Sequence, residues 1–239
     1  VSGEEGFTAG RKQIDHQRFF TRLAQRVIHI LSTNMMGGRL YEVDLRLRPN
    51  GDSGLLVTSL SALKKYLASD AWTWEHQALV RARVIAGGSV LMKKVEALRV
   101  EVLSKQRDDA LLSNDVTSMR HKMRDHRADV GAKSKQIDLK YGRGGIVDIE
   151  FVVQYLVLKH AASYPEICRW SDVVRILDSL EMAGILSKDN ANSLRDAYLQ
   201  LRAATHRIAM SYDTEHDLAQ ATEAMARASA NCAGLLPNL

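Results

Sequence analysis

From Ser59 to the end of the chain almost every apolar pattern repeats at helical spacing, which confines strand structure to the front. "SLSALKKYLAS" (59–69), "AWTWEHQALVRARVIA" (71–86), "VLMKKVEALRVEVL" (90–103) and "DVTSMRHKMRDHRA" (115–128) all read as helices. A Gly- and Lys-containing link at 131–145 leads into "IVDIEFVVQYLVLKHAA", whose apolar positions 146, 149, 153 and 157 predict another helix. Three more follow, around 171–183, 188–211 and 215–231. Ahead of Ser59, positions 20, 23, 27, 30 and 31 predict an amphipathic helix capped near Asp15. The front then turns to a different period. Tyr41, Val43, Leu45 and Leu47 alternate with Glu42, Asp44, Arg46 and Arg48, which predicts a strand with its charges on one face. "GLLV" (54–57) is its expected hairpin partner across the Pro49–Ser53 loop. Two strands make a marginal sheet, so further strands are expected from sequence ahead of Val1. The expected fold class is α+β, mostly helical, with a mixed domain at 1–110 and an all-α helical bundle at 111–239.

The 239 residues suffice for a buried core, and 46% hydrophobic with 26% charged residues is the balance of a soluble globular chain. No apolar run approaches the roughly 18 residues of a membrane span, and no leader pattern precedes the first helix, so a cytoplasmic protein is expected. Cys168 and Cys232, without CxxC spacing, fit a reducing compartment. The net charge of +5 is uneven: 15 Lys/Arg stand against 8 Asp/Glu between Arg81 and Arg143. A basic middle suits an anionic partner such as a nucleotide, a nucleic acid or an acidic protein surface. The start at Val1, in a polar Gly-containing segment, reads as part of something longer.

Two stretches carry candidate chemistry. In the predicted strand, a Glu-Asp-Arg-Arg face has acceptors for a divalent cation at one end and donors for phosphate at the other, or it is a solvated face of ion pairs. In "LKYGRGGIVDIEF" (139–151), Lys140, Arg143, Gly144 and Gly145 stand immediately before a helix, where free amides and the positive helix end favour phosphate. The loop is not a GxxxxGK[ST] motif, and a ligand-free helix entry explains its glycines equally well. Asp148 and Glu150 lie two apart on that helix, so they face different ways and cannot work as a pair. The eight His residues show no metal-ligating spacing.

Taken in order, "LYEVDLRLRPNGDSGLLVTS", "AWTWEHQALVRARVIAG", "DLKYGRGGIVDIEFVVQYLVLKHA" and "RWSDVVRIL" resemble the glutamine synthetase adenylyltransferase family, over about residues 10–210. That resemblance implies a partial polymerase-beta-like nucleotidyltransferase core followed by the helical bundle. It implies adenylylation of a tyrosine of glutamine synthetase, with ATP as substrate and Mg²⁺ as cofactor. "WTWEHQALVRAR" and "DIEF" look like the C-terminal, adenylylating half of such enzymes; the deadenylylating half and a non-catalytic helical docking module are the alternatives. Asp44 matches the third metal-binding carboxylate, and the family's Asp-x-Asp pair would lie ahead of Val1, which leaves this fragment inactive alone. Arg46, Arg48, Lys140, Arg143, Gly144 and Gly145 are the implied phosphate-binding residues. Glu42, Glu75, Arg83, Asp148 and Glu150 have implied supporting roles. The implied partners are glutamine synthetase and, for the full-length enzyme, the PII nitrogen-signalling protein, with no membrane and no nucleic acid. Relatives usually show Gly-Asp near position 87, where this chain has Gly87-Gly88.

Overall fold

The structure is a computed structural model that describes residues 1–3, 6–131, 137–210 and 215–236; for 127–131 and 215–217 only the backbone is described. Residues 132–136 of the predicted link, and position 211 at the end of the predicted 188–211 helix, lie outside them. The described residues form helices α1 (His16–Ser32), α2 (Leu60–Ser69), α3 (Thr73–Val80), α4 (Ser89–Leu103), α5 (Asp109–Gly131), α6 (Ile146–His160), α7 (Val173–Met182), α8 (Lys188–Ala209) and α9 (Glu215–Leu235). The strands are β1 (Asn34–Met35) and β2 (Gly38–Arg39), an antiparallel pair with Asn34 opposite Arg39 and Met35 opposite Gly38. The fold is thus α+β and mostly helical.

The chain divides into two compact units, Val1–Glu75 with Val84–Leu98, and His76–Arg83 with Arg99–Leu239. Residues 99–110 therefore fall with the second unit, and Val102 and Leu103 are buried there.

In the first unit, α1 starts where the sequence places it: the Asp15 carboxylate accepts from the Arg18 amide at 3.0 Å. Its apolar stripe is well defined, yet no residue of α1 is buried, and Phe19, Leu23, Val27 and Ile30 are exposed. The predicted strand at 41–48 and its partner at 54–57 do not form; 41–45 lacks a ladder and the chain turns at 46–50. The cause is local. Asp44 accepts from the Arg46 amide at 2.9 Å, a side-chain turn that competes with strand pairing. Arg48 then donates to the carbonyls of Leu45 (2.8 Å), Asp52 (3.1 Å) and Gly54 (3.3 Å), closing a loop where a ladder was expected. The paired strands sit instead on either side of Met36-Gly37, between the first predicted helix and the predicted strand.

The second unit holds the main core, built around α6, which packs against α5, α7, α8 and α9. Twelve of its residues are buried, so its sequence reads as apolar on nearly every side. Helix α3 stops at Val80, six residues before the predicted end at 86. Buried Arg99 donates to the carbonyls of Leu79 (3.3 Å) and Val80 (3.5 Å), supplying partners that another helical turn would otherwise provide. Arg107 does the same for the end of α4, reaching the carbonyls of Val102 (2.7 Å) and Leu103 (2.8 Å), and Leu158 of α6 at 3.2 Å. Its guanidinium pKa is lowered by burial. A cation placed on helix C-terminal carbonyls is stabilised by their dipoles.

Candidate functional site

In the first unit, Asp44 is exposed and Arg46 grips it along one edge: Nε lies 3.0 Å from Oδ1 and Nη2 lies 2.6 Å from Oδ2. The hydrogen bonds from the Arg46 side chain and amide lower the carboxyl to about 2. Asp44 is therefore ionised and accessible at neutral pH. Arg46 lies alongside it. Arg48 does not join them, because its guanidinium is turned onto the 45–54 loop, with Asp52 at 3.6 Å. The four-charge face expected of a strand is thus reduced to the Asp44–Arg46 pair, with Glu42 exposed nearby in sequence.

Glu75 is buried and structural. Its carboxylate accepts from the Trp72 amide at 2.9 Å and from the Tyr66 hydroxyl at 2.9 Å. Standing third in α3, it reaches back to the residue before the helix, which is the acidic half of a capping box. Arg83 is exposed in the loop after α3. A cavity of about 630 Å³ lies between the C-terminal part of α1 and the β1–β2 hairpin, walled by Arg26, His29, Ile30, Met35, Arg39 and Leu40 among others. Asp44, Arg46 and Arg48 are not in its wall.

In the second unit the glycine-rich loop differs from the phosphate cradle its sequence suggests. The amide of Gly144 donates to Asp148 Oδ2 at 2.7 Å. Those of Gly145, Ile146 and Val147 donate to the carbonyls of Gly142, Leu139 and Lys140 at 3.0, 3.1 and 3.0 Å. The amides of Gly144, Gly145, Ile146 and Val147 are thus already satisfied within the chain. Gly144 is buried at φ +69°, and a Cβ there would stand 1.9 Å from the Met225 carbonyl oxygen. This glycine is needed for the close approach of α9. Lys140 and Arg143 remain exposed, the lysine ammonium 5.2 Å from the Tyr141 ring centroid.

Asp148 is the hub of this region. Arg120 of α5, fully buried, donates from Nε to Oδ1 at 2.5 Å and from Nη2 to the Tyr141 carbonyl at 2.6 Å. Arg124, one turn further along α5, reaches the same carboxylate at 3.3 Å. Desolvation, followed by the nearby Arg120 charge, lowers the Arg124 pKa, with Asp148 acting against it and Arg143 with it. Glu150 faces elsewhere, as the two-residue spacing requires: it pairs with Arg81 of the second unit and accepts from the Tyr198 hydroxyl at 3.3 Å. Burial raises the Tyr198 pKa. Arg120 and Arg124 had no place in the reading of the sequence, although their four-residue spacing in "MRHKMR" puts both on one helix face. Among the described residues with resolved side chains, no three His, Cys, Asp or Glu converge to hold a metal ion. No described helix is long and apolar enough to cross a membrane.

Comparison with known proteins resolves the class. Residues 2–98 match the profile of the family described as glutamate-ammonia ligase adenylyltransferase, and residues 97–233 match that of GlnD PII-uridylyltransferase. Both families are named for nucleotidyl transfer. Full-length relatives narrow this further. The chain is 48% identical over 211 residues to the bifunctional glutamine synthetase adenylyltransferase/adenylyl-removing enzyme of Psychromonas ingrahamii, which covers 88% of this chain. It is 49% identical over 209 residues to the protein of the same name in Hahella chejuensis, and 47% identical over 213 residues to that of Pseudomonas aeruginosa, each covering 85% of this chain. The chain belongs to the glutamine synthetase adenylyltransferase family. It spans only 21–22% of the length of these relatives.

Proposed function

We propose that this chain belongs to the adenylylating half of an enzyme that transfers AMP from ATP to a tyrosine of glutamine synthetase. The tyrosine oxygen attacks the α-phosphorus, the bond to the β-phosphate bridging oxygen breaks, and pyrophosphate leaves. The reading is carried by the 48% identity, over 88% of the chain, to a relative named for adenylylating and deadenylylating glutamine synthetase. The accessible, ionised Asp44 beside Arg46 supports it.

Magnesium fits these residues only in part. Asp44 offers one hard oxygen ligand, and no cluster among the described residues completes the set. The ion, when bound, neutralises charge on the phosphate oxygens, and its remaining ligands come from elsewhere in the longer protein. Asp44 contributes its carboxylate to that site. Arg46 holds the carboxylate ionised and oriented, and a guanidinium so placed suits phosphate oxygens. Lys140 and Arg143 are exposed cations available to ATP or to the protein substrate. Glutamine synthetase and the PII protein are the partners of the whole enzyme, and the cytoplasm is its compartment.

The test measures incorporation of labelled AMP into glutamine synthetase by the full-length protein, unmodified and as Asp44→Asn. The substitution is expected to abolish incorporation while leaving folding intact, since Asp44 is exposed. The isolated 239-residue chain is expected to be silent; robust Mg²⁺-dependent transfer by it alone would remove the assignment of the site. Phosphate-dependent release of AMP from adenylylated glutamine synthetase, lost in Asp44→Asn while incorporation persists, would move the chain to the deadenylylating half.

A further inference from the structure

In the cluster around Asp148 the buried guanidinium of Arg120 is incompletely satisfied. A guanidinium offers five N–H bonds in a plane. Arg120 uses one edge of that plane on Asp148 and the Tyr141 carbonyl. Its Nη1, on the opposite edge, has no hydrogen-bond partner, although the side chain is fully buried. An unmet buried donor on a charged group is expensive. Asp148 cannot relieve it. Its two oxygens already accept from Arg120, Arg124 and the Gly144 amide.

Cations gather here as well. Arg120 and Arg124 both reach the carboxylate of Asp148, and Arg143 is close enough to act on Arg124. The nearby Asp138 does not offset them, since its carboxylate is turned back to the Lys140 and Tyr141 amides, both at 2.9 Å. The amides of Gly144, Gly145, Ile146 and Val147 are spent, so the cradle is made of side chains. Arg124 is partly open to solvent, and Arg143 and Lys140 are exposed, so the cluster is reachable from outside.

We propose that Arg120, with Arg124 and Arg143 beside it, binds an oxyanion of the phosphate class at the junction of α5 and the 137–145 loop. A phosphate oxygen supplies the acceptor that Nη1 lacks, and its negative charge suits the guanidinium groups gathered there. Planar guanidinium groups suit such an oxygen array better than a single-acceptor anion such as chloride. The phosphate class follows from the cluster itself; that the bound group is pyrophosphate or part of a nucleotide rests on the adenylyl-transfer reading.

Calorimetric titration of the chain with inorganic phosphate, pyrophosphate and ATP, against sodium chloride of equal ionic strength, tests this. Arg124→Gln and Arg143→Gln remove charge at the open side of the cluster, and Arg120→Lys removes the fork itself; circular dichroism identifies any variant that fails to fold. Saturable binding of at least one phosphate compound is expected, with affinity about tenfold weaker in Arg124→Gln, the loss of one charge-assisted hydrogen bond. No heat beyond the chloride control, or binding equally strong in the folded variants, overturns the site. Preference for pyrophosphate or ATP over phosphate ties the site to nucleotidyl transfer. Binding of inorganic phosphate alone keeps the site and detaches it from that reaction. If Asp44→Asn abolishes AMP transfer in the full-length enzyme while phosphate binding persists, the two sites are independent.

Discussion

Gly144 and Gly184 form an internal experiment, because both hold φ at +69° and differ only in what surrounds them. A side chain in this left-handed region costs about 1–2 kcal/mol wherever it occurs. At Gly184 a Cβ meets nothing within 4 Å, so Gly184→Ala should lose that amount and little more. At Gly144 the same atom would lie 1.9 Å from the Met225 carbonyl oxygen, 2.8 Å from the Met225 carbonyl carbon and 2.8 Å from the Ser229 amide nitrogen. These are backbone atoms, which no rotamer change can move. Restoring an ordinary carbon–oxygen contact of about 3.3 Å requires α9 to withdraw by roughly 1.4 Å. Overpacking of that kind adds about 1–3 kcal/mol, which brings Gly144→Ala to about 2–5 kcal/mol in total. Urea denaturation followed by circular dichroism measures both variants against the parent. Equal losses at the two glycines would refute the close approach of α9 to the 142–145 loop. A clearly larger loss at Gly144 than at Gly184, with an unchanged urea dependence, supports it.

Other consequences are as direct. Asp148→Ala leaves Arg120 buried without its carboxylate, and should destabilise the chain by about 3–5 kcal/mol in the same denaturation assay. The Cys232 thiol, pushed up to about 12 by burial and then by the Asp148 charge, should resist a disulfide reagent at pH 8 in the folded chain and react at once in urea. Asp44 has a folded pKa of about 2, below the ordinary aspartate range, so its pairing favours the folded state above the unfolded pKa and is lost as pH falls through about 2. Carbon-detected NMR should place its titration there, and Arg46→Gln should return it toward the ordinary aspartate range. Glu75→Gln keeps an acceptor for the Trp72 amide but loses the charge at the start of α3, a loss of about 0.3–1 kcal/mol that chemical denaturation can resolve.

The helices were legible because burial writes its period into sequence: Ile146, Ile149, Val153 and Val157 are all buried, as their spacing requires. The caps at Asp15, Ser59, Asp172 and Ser187 are equally local, each side chain accepting from an amide three residues on. What the sequence hid depended on competition between partners. Alternation at 41–48 is necessary for a strand but not sufficient, and the Asp44 side chain captured the Arg46 amide where no neighbouring strand claims it. Likewise "GRGG" before a helix looks like an anion cradle until Asp148, four residues on, takes the Gly144 amide and neighbouring carbonyls take those of Gly145, Ile146 and Val147. The early end of α3 depends on Arg99, nineteen and twenty positions beyond the carbonyls it serves. No pattern within the 71–86 window contains that information. Arg120 and Arg124 are spaced to share a helix face, but nothing in that spacing says that they converge on Asp148.

The near-complete enclosure of α6 has a consequence for how the helical unit comes apart. Four helices pack on it, so its amide hydrogens have no route to solvent by fraying or by the loosening of one neighbour. Their deuterium uptake should report the opening of the whole unit, whereas amides of α1, none of whose residues is buried, exchange through local excursions. Helix α6 is the clock by which the lifetime of the closed core can be read.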